Sequence, residues 1–586
     1  SDNVRIRATG YYANWDGNIR NVAFARNNTV NGYERYGGRI KAAIDFSPNV
    51  TSTLIVDYFR NSDDCCAEVI GTGALTGAGA PAVNAAFALL PTPRGDRTRQ
   101  IAQNLVTRTE ERGWGVSYQI NADAGPLLFT SITSYRDWRN VEIRDGDWLP
   151  APLQGAGLQQ LHDRGPQDSS TLTQELRLAT PTGGFIDFVG GLYYSRAENR
   201  RVFERNVIQC NTAPPTTPNP PRVCGTAGAP PSTFPSAIAD FGSVFQTLAA
   251  FGQAQINFTD RFRAIAGLRY TVDELDVFHS RNTTLAGPGI QPSFPVTPTG
   301  TGQPPRPFRD STEAENLSGR VGLQFDIFDD LMIYGTYSRG YKGPAYNVFF
   351  NLTQTGVDPL DPEISDAFEA GLKSTLFGGR LVFNVAGFYA EYRNFQANNP
   401  DIVAGVVVTR FTNAGTISTK GAELDVIWRP IDDLSISGGV AYTDAQVEQF
   451  RLPPGGNPAQ VVPSGTELAF APKWKGAVSV DYRARTGGAV DFFAGVQANF
   501  QSSQLSQFSP DAVVRRFTTI PGYELVNLQA GIVTSDDRIR VTAQVRNLFD
   551  QSFAATITSG GPGGSYRYII PRDADRYYGI TGRVAF

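Results

Sequence analysis

The stretch DRYYGITGRVAF, residues 575–586, ends the chain with side chains that alternate between apolar and polar and finishes on an aromatic residue. Such alternation predicts a β-strand with one apolar face. Bacterial outer-membrane barrels end in this way, because the last strand closes the sheet and its aromatic side chain lies at the membrane interface. We therefore predict an outer-membrane location. The outer face of the closing strand carries Tyr578, Ile580, Val584 and Phe586, and we expect the barrel assembly machinery to recognise this strand.

The composition is typical of a β-protein. Of the 586 residues, 11% are aromatic, 60 are glycine and only 18% are charged, against about 25% charged in ordinary globular chains. The net charge is -4, and lysine and arginine form no basic cluster. Because nucleic-acid-binding proteins usually carry a basic patch, this class of function is not predicted. Since no run of roughly 18 apolar residues is present, a transmembrane helix is not predicted. A membrane location therefore requires strands.

Alternation with a period of two recurs along the whole chain. One face of each segment carries small or aromatic apolar side chains, and the other carries charged or polar side chains. In a soluble sandwich the apolar face would turn inward, whereas in a membrane barrel it faces lipid and the polar face lines a wet lumen. The clearest segments are 38–46, 262–270, 434–442, 490–500 and 538–546.

The lengths of the connections separate these two interpretations. Tight turns near residues 47, 121, 180, 258, 326, 376, 429, 485 and 534 alternate with long stretches such as 63–111, 198–243 and 276–311. Short periplasmic turns and long extracellular loops are typical of an outer-membrane barrel. We predict an all-β fold, a transmembrane antiparallel β-barrel with about 20 strands.

Several segments resemble the TonB-dependent receptor family. Each is short, but together they cover most of the chain and stand in the family's order. They are QELRL at 174–178, GLRYTVDE at 267–274, YGTYSRGYKGPAYN at 334–347, PEISDAFEAGLKS at 362–374, TNAGTISTKGAELD at 412–425, APKWKG at 471–476 and VRNLFD at 545–550.

The resemblance implies a barrel of about 22 strands, preceded by a plug and by a segment that binds TonB. Nothing before Val4 matches either part. We therefore expect residues 1–586 to be a receptor barrel that lacks one hairpin at its N-terminus and lacks the plug, with TonB contacted through the missing N-terminal region.

The function implied by the resemblance is TonB-energised uptake of a scarce small molecule, such as a ferric siderophore or a small organic nutrient. Lipid of the outer membrane, TonB and the ligand are the expected partners. A passive porin or a purely structural barrel remains the alternative, because it would show the same strands.

Catalysis has little support in the sequence. The chain has two histidines, His162 and His279, both in predicted extracellular loops and neither beside a recognisable nucleophile motif. With Met332 as the single methionine, haem or metal capture is disfavoured as well. We predict no enzyme, no cofactor and no metal site.

Two cysteines flank a proline-rich stretch. A bridge between Cys210 and Cys224 would close a loop of about 15 residues, which is worth about 3 kcal/mol in the chain-entropy model. Because Cys65 and Cys66 are also present, three pairings are open, and the sequence does not choose among them.

Aromatic residues cluster where one long loop leaves the barrel. Tyr341, Tyr346, Phe349 and Phe350 are candidates for stacking on a ligand. The interpretation that we favour is that they form the packed core of the loop itself. Trp428, Trp474 and Tyr442 are predicted to anchor the wall at the membrane interface, and Glu369 and Lys373 to face the lumen.

Overall fold

A computed structural model describes residues 3–24, 28–64, 67–71, 88–92, 95–155, 157–210, 220–295, 307–403, 406–452 and 461–586. Cys65 and Cys66 lie outside these ranges. The main sheet has 20 strands. In chain order they are β1 Val4–Trp15, β2 Tyr33–Ser47, β3 Val50–Asp63, β4 Arg108–Asp123, β5 Leu128–Asp145, β6 Gln160–Ala179, β7 Ile186–Ile208, β8 Ser236–Asn257, β9 Phe262–Leu285, β10 Phe308–Phe328, β11 Leu331–Lys342, β12 Glu363–Leu376, β13 Leu381–Arg393, β14 Gly415–Ile431, β15 Leu434–Phe450, β16 Trp474–Ala484, β17 Val490–Gln501, β18 Tyr523–Thr534, β19 Ile539–Arg546 and β20 Tyr577–Val584.

Every strand pairs antiparallel with the next along the chain, from β1 with β2 through to β19 with β20. Short turns and long connections alternate strictly. The predicted barrel of about 20 strands, with all tight turns on one rim and all long loops on the other, is confirmed.

The loops carry further small elements. These are the two-stranded pairs Ala345–Tyr346 with Pro359–Leu360, Gln396–Val403 with Val406–Asn413 and Gln504–Leu505 with Thr519–Ile520, the sheet of Ile19–Asn21, Thr29–Val30 and Gln100–Ile101, the sheet of Glu68–Ile70, Thr556–Thr558 and Arg567–Ile569, and the helix Ala512–Phe517. No helix in the described parts of the chain is long and apolar enough to cross a membrane.

The wall carries its apolar side chains on the outer face, as the alternation predicts. Ile40 of β2, Leu268 of β9 and Phe492 of β17 are 55%, 63% and 57% exposed. The opposite face carries cross-strand ion pairs and hydrogen bonds. Arg263 and Asp326 lie 2.7 Å apart, and the hydroxyl of Tyr334 donates to Glu369 at 2.6 Å. Polar pairs of this kind fit a lumen, where charge is solvated.

Aromatic side chains mark both ends of the outer face. Trp428 lies near the short-turn rim and Trp474 at the long-loop end of its strand, and both are exposed. The ring of Tyr442 packs 4.9 Å from that of Trp474. Two aromatic belts are the arrangement expected where a barrel wall meets the two membrane interfaces.

The buried apolar core lies among the long loops. Four clusters of buried side chains are found there, because the wall itself turns its apolar face outward. The largest cluster draws residues from loops at the two ends of the sheet: Ile19, Val30, Ala67, Val69, Ile101, Ile520, Phe553, Ala554, Ile557, Tyr566, Ile570 and Ala574.

The sheet begins at β1 and ends at β20. Among the strand pairings of the described residues, β1 pairs with β2 alone and β20 with β19 alone. Both strands are largely exposed. Above them the loops join the two ends: Arg567–Ile569 pairs with Glu68–Ile70, and Arg99 bonds Asp575 at 2.8 Å. The loop layer therefore spans the seam that the strands leave open.

The positions predicted for both histidines are wrong. His162 is the third residue of β6, and His279 lies within β9. The strands that carry these histidines extend beyond the apolar band at their long-loop ends. A membrane crossing needs only about 9 to 11 residues, whereas β9 continues to Leu285. Because these extensions carry polar residues on both faces, they give no alternating apolar signal.

Candidate functional site

A cavity of about 640 Å³ lies among the long loops, within the size range of small-molecule sites. Its residues come from β11 and from the loops after β13, β15, β17 and β19. The lining residues are Lys342, Phe395, Gln396, Ala397, Phe411, Leu468, Ala469, Phe470, Ser506, Gln507, Phe508, Thr556, Thr558, Ser559 and Arg567.

Aromatic rings and two cations give the cavity its chemistry. Lys342 ends β11, and its Nζ lies 5.4 Å from the ring centre of Phe411. Within the described structure Lys342 forms no ion pair. Arg567 is bound at 2.6 Å to Glu68, a carboxylate that it shares with Arg144, so its charge is partly compensated. The cavity thus offers one uncompensated positive charge among phenylalanines, which suits an anionic ligand with flat or aromatic groups.

Hydrogen bonds hold the wall of the cavity in place. The side-chain amide of Gln396 donates to the carbonyl oxygens of Gly343 and Asp361, at 2.9 and 3.0 Å. Gln507 exchanges two hydrogen bonds with Ser559. These contacts join the loop after β13 to the loop after β11, and the loop after β17 to the loop after β19. The cavity is therefore a product of several loops, each fixed by its neighbours.

The four aromatic candidates from the sequence occupy different places. Phe350 is 6% exposed and packs in the loop core, with its ring 4.9 Å from that of Phe203. Tyr346 lines a second, smaller cavity of about 360 Å³. Tyr341 lies in β11 next to Lys342, and the carbonyl of Phe349 accepts from His279. A ligand role for these residues stays a prediction.

His279 and Arg281 fasten a neighbouring loop to β9. Arg281 is 4% exposed and donates to the carbonyl oxygens of Pro292, Phe350 and Leu352. His279 is fully buried, and burial, followed by the charge of Arg281, lowers its pKa to about 4. Both residues lie well beyond the membrane-crossing part of β9. Their hydrogen bonds fix the position of the loop backbone at Pro292 and at 349–352.

A disulfide joins Cys210 and Cys224, with their Cα atoms 5.6 Å apart. The bridged loop lies against the loop between β5 and β6. The amide of Cys224 donates to the carbonyl of Pro152 at 2.9 Å, and that of Gln154 to the carbonyl of Arg222 at 2.8 Å. The disulfide therefore closes one outer loop, and backbone hydrogen bonds fasten that loop to the one between β5 and β6.

A concave surface of about 980 Å³ lies on the outer wall across β16 to β20. Small side chains create it, since Ala494, Ala530 and Ala543 pair across three neighbouring strands. Because this face is apolar and turned away from the lumen, we place the candidate ligand site in the loop cavity.

A sequence model described as "TonB dependent receptor-like, beta-barrel" matches residues 1–548, most of the chain. The chain belongs to the TonB-dependent receptor family. This receptor barrel therefore lies in the bacterial outer membrane, as its closing strand predicts. Members of the family are transporters and receptors.

Curated relatives of this receptor barrel are distant in sequence. The metal-pseudopaline receptor CntO of Pseudomonas aeruginosa is 23% identical over 304 residues, 51% of this chain and 36% of the relative. The pesticin receptor of Yersinia enterocolitica is 23% identical over 352 residues, 58% of this chain and 44% of the relative. The chain thus spans less than half the length of these two relatives.

Solved structures of similar fold include the ferric yersiniabactin uptake receptor FyuA of Yersinia pestis, with a TM-score of 0.73 and 16% identity. The match covers 100% of this chain and 75% of that chain. The siderophore receptor PiuA of Acinetobacter baumannii gives a TM-score of 0.68 at 13% identity, covering 99% and 77%. At these identities the likeness shows the fold.

Sequence reasoning missed the residues that form the loop cavity. Lys342 lies inside a motif that points to the family, but nothing in the local sequence connects it with Phe411 or Arg567. These side chains come from separate loops and meet only in the folded protein. A sequence signal for this set would require knowledge of how the loops pack.

Proposed function

We propose that the chain forms the barrel of a receptor for TonB-energised uptake of a ferric siderophore or a similar small organic nutrient. The protein carries out transport and no catalysis. The observation that carries the proposal is the loop cavity, with Lys342 beside Phe411 and further phenylalanines around them. Many ferric chelates are anionic and bear flat metal-binding groups, which match a cationic, aromatic site.

The names of the relatives support this substrate class. CntO is described as a metal-pseudopaline receptor, a relative from Pseudomonas putida as a ferric-pyoverdine receptor, and FyuA as a ferric yersiniabactin uptake receptor. All three names describe capture of a metal held by a small organic chelator. We transfer the class, and not any one of these ligands, to this chain.

We further propose that residues 1–586 are the barrel domain alone. One additional hairpin would then join the free edges of β1 and β20, and a plug and a TonB-contacting segment would lie outside these residues. The lipid bilayer would cover the apolar outer wall, and the assembly machinery would recognise β20 with its terminal Phe586. The paired loops above the seam support this arrangement, because they hold the two edges near each other.

Iron uptake by cells producing the whole receptor tests the proposed function. We expect ⁵⁵Fe bound to at least one class of siderophore, catecholate, hydroxamate or hydroxycarboxylate, to accumulate in these cells and not in cells without the gene. A protonophore should abolish accumulation, because TonB draws on the proton gradient. Accumulation that the protonophore leaves unchanged would support the passive porin, and none with any class would contradict siderophore uptake.

A further inference from the structure

Two buried carboxyl groups lie at the outer end of β5, and neither forms an ion pair with any residue that the structure describes. Asp145 is 0% and Asp147 6% exposed. Asp145 ends β5 and pairs across the sheet with His162 of β6. One ligand atom from each of Asp145, Asp147 and His162 lies within 4.8 Å of the other two. This group contains two carboxylates and an imidazole.

Two other buried acids on the outer side have an arginine partner, whereas buried Asp273 accepts from the hydroxyl of Thr247 at 2.6 Å. Glu68 binds Arg144 and Arg567, at 3.0 and 2.6 Å, and Asp163 binds Arg205 at 2.7 Å. Burying a carboxylate without such a partner is costly. Among the described ion pairs neither Asp145 nor Asp147 takes part. The pair therefore needs either a shared proton or a bound cation.

The hydrogen bonds around Asp145 leave one oxygen atom unused. Its Oδ1 accepts from the backbone amides of Asp147 and Trp148, at 3.2 and 2.8 Å. Within the described residues its Oδ2 is buried and accepts no hydrogen bond from an amide or hydroxyl donor, and the Asp147 carboxyl group lies close enough to share a proton with Asp145. With Oδ1 turned to the backbone, Oδ2 is the oxygen left for the cluster.

The other two side chains are fixed by their surroundings. Asp147 accepts from the backbone amides of Leu149 and Leu161, at 3.1 and 2.7 Å. The two nitrogens of His162 contact the side-chain amides of Gln160 and Asn104, at 3.3 and 3.0 Å. A side-chain amide turns away more easily than a backbone group, so the imidazole is able to exchange one of these partners for a metal ion.

We propose that Asp145, Asp147 and His162 bind a divalent transition-metal ion of the zinc class, which fastens the loop at 146–159 to the barrel wall. Two carboxylates with one imidazole form a mixed oxygen and nitrogen donor set, which suits zinc better than calcium or magnesium, whose ligands are oxygens. Zinc bonds of about 2.0 to 2.2 Å require the three side chains to move closer together. This site is separate from any metal carried by a transported ligand and does not rest on the proposed function.

The site lies next to the loop cavity through Trp148. This residue follows Asp147 directly, and the guanidinium of Arg567 lies 4.2 Å from the centre of its ring. Arg567 in turn lines the cavity. Metal bound at Asp147 would therefore hold the segment that supports one of the cavity's two cations.

Zinc titration of the purified chain in detergent tests the proposal. The parent protein carries Cys65→Ser and Cys66→Ser, so that thiolates do not compete for the metal, and is first treated with a chelator. We expect one zinc ion per chain with roughly micromolar affinity or better. Asp145→Asn and His162→Gln should each weaken binding about tenfold or more. The matched control is Asp168→Asn, which changes an exposed carboxylate on β6, the strand that also carries His162. This variant should bind zinc like the parent.

A cobalt spectrum of the parent protein keeps the test independent of how well the variants fold. We expect Co²⁺ to give the visible absorption of a low-coordinate nitrogen and oxygen site, and Zn²⁺ to remove that absorption. Absence of stoichiometric zinc binding would overturn the proposal, as would equal affinity in the parent and all folded variants. Binding of Ca²⁺ without Zn²⁺ would overturn the assignment of the metal class.

Discussion

His279 is a buried base that is held neutral by its surroundings. Its ring stacks on Phe241, and its Nε2 donates to the carbonyl of Phe349 at 3.0 Å. Its pKa falls to about 4 in the folded protein, against about 6.5 for an exposed histidine. Between these two values the opened loop binds more protons than the closed loop. The stability of the closed loop therefore decreases as the pH falls through this window.

We predict that the segment at 349–352 opens more often at pH 5 than at pH 7, by roughly tenfold or more. Hydrogen exchange of its backbone amides, corrected for the intrinsic effect of pH, measures this opening. His279→Phe keeps an aromatic ring between Phe241 and Phe294 but removes the titration, and should abolish most of the pH dependence. The same response in wild type and variant would contradict this account of His279.

Single residues were the hardest level to predict from the sequence. The residues at 577–586 predict a strand with an apolar outer face, because this pattern depends only on residues that are close together in the sequence. Lys342, Phe411 and Arg567 have no such relation, since long-range loop packing brings them together. Phe350 shows the same difficulty: an aromatic residue at a loop start is compatible with ligand stacking and with core packing, and the structure places it in the loop core, the interpretation that the sequence favours.

Individual strands follow two physical rules at different depths. Within the membrane the outer face is apolar, so period-two alternation identifies the strand. Beyond the membrane both faces meet water or loops, and backbone pairing alone continues the ladder. This explains why the apolar bands of the strands were predicted well, whereas β7 and β9 continue to Ile208 and Leu285, into segments predicted as loops.

Strand β17 allows the two faces to be compared at the same depth. Val496 faces outward between the rim aromatics Phe492 and Phe500, and Gln497 faces the lumen. We predict that Val496→Arg lowers the free energy of unfolding of the barrel in lipid vesicles by about 2–4 kcal/mol, the cost of arginine at the bilayer midplane. Gln497→Arg should cost less than about 1 kcal/mol, because the lumen solvates the charge.

Denaturant titration of both variants in vesicles measures the difference. Equal losses would contradict the assignment of faces, because an arginine should be costly only where it meets lipid. A folded barrel migrates differently on a gel before and after heating. If each variant keeps this shift, it has assembled, and a loss of stability then reports the face on which the arginine lies.

On the scale of the whole molecule, the seam is the main departure from a closed barrel. Backbone groups on the free edges of β1 and β20 have no strand partner in the described registers, whereas β9 is paired on both sides. Such edges are exposed to water or to a pairing strand. The strand count and the alternation of turns can be predicted from the sequence. The loop sheet in which Arg567–Ile569 pairs with Glu68–Ile70 cannot, because its strands are far apart along the chain.

We predict that amides on the free edges of β1 and β20 exchange at least about tenfold faster than paired amides of β9 in the detergent-solubilised chain. Residue-resolved hydrogen exchange measures this. Protection is expected to rise toward the loop end of the seam, where Arg567–Ile569 pairs with Glu68–Ile70. Uniform protection along β1 and β20, equal to that of β9, would show that these two strands pair with each other and would contradict an open seam.

Binding of ferric siderophores to the purified chain tests the central claim most directly. Calorimetry with one ferric catecholate, one hydroxamate and one hydroxycarboxylate should show at least one ligand bound with roughly micromolar affinity or better. Lys342→Gln should weaken that ligand about tenfold, or about 1.4 kcal/mol, while Lys41→Gln, on the distant strand β2, should leave it unchanged. Absence of binding for all three classes, or equal affinity in the two lysine variants, would contradict a ligand site in the loop cavity.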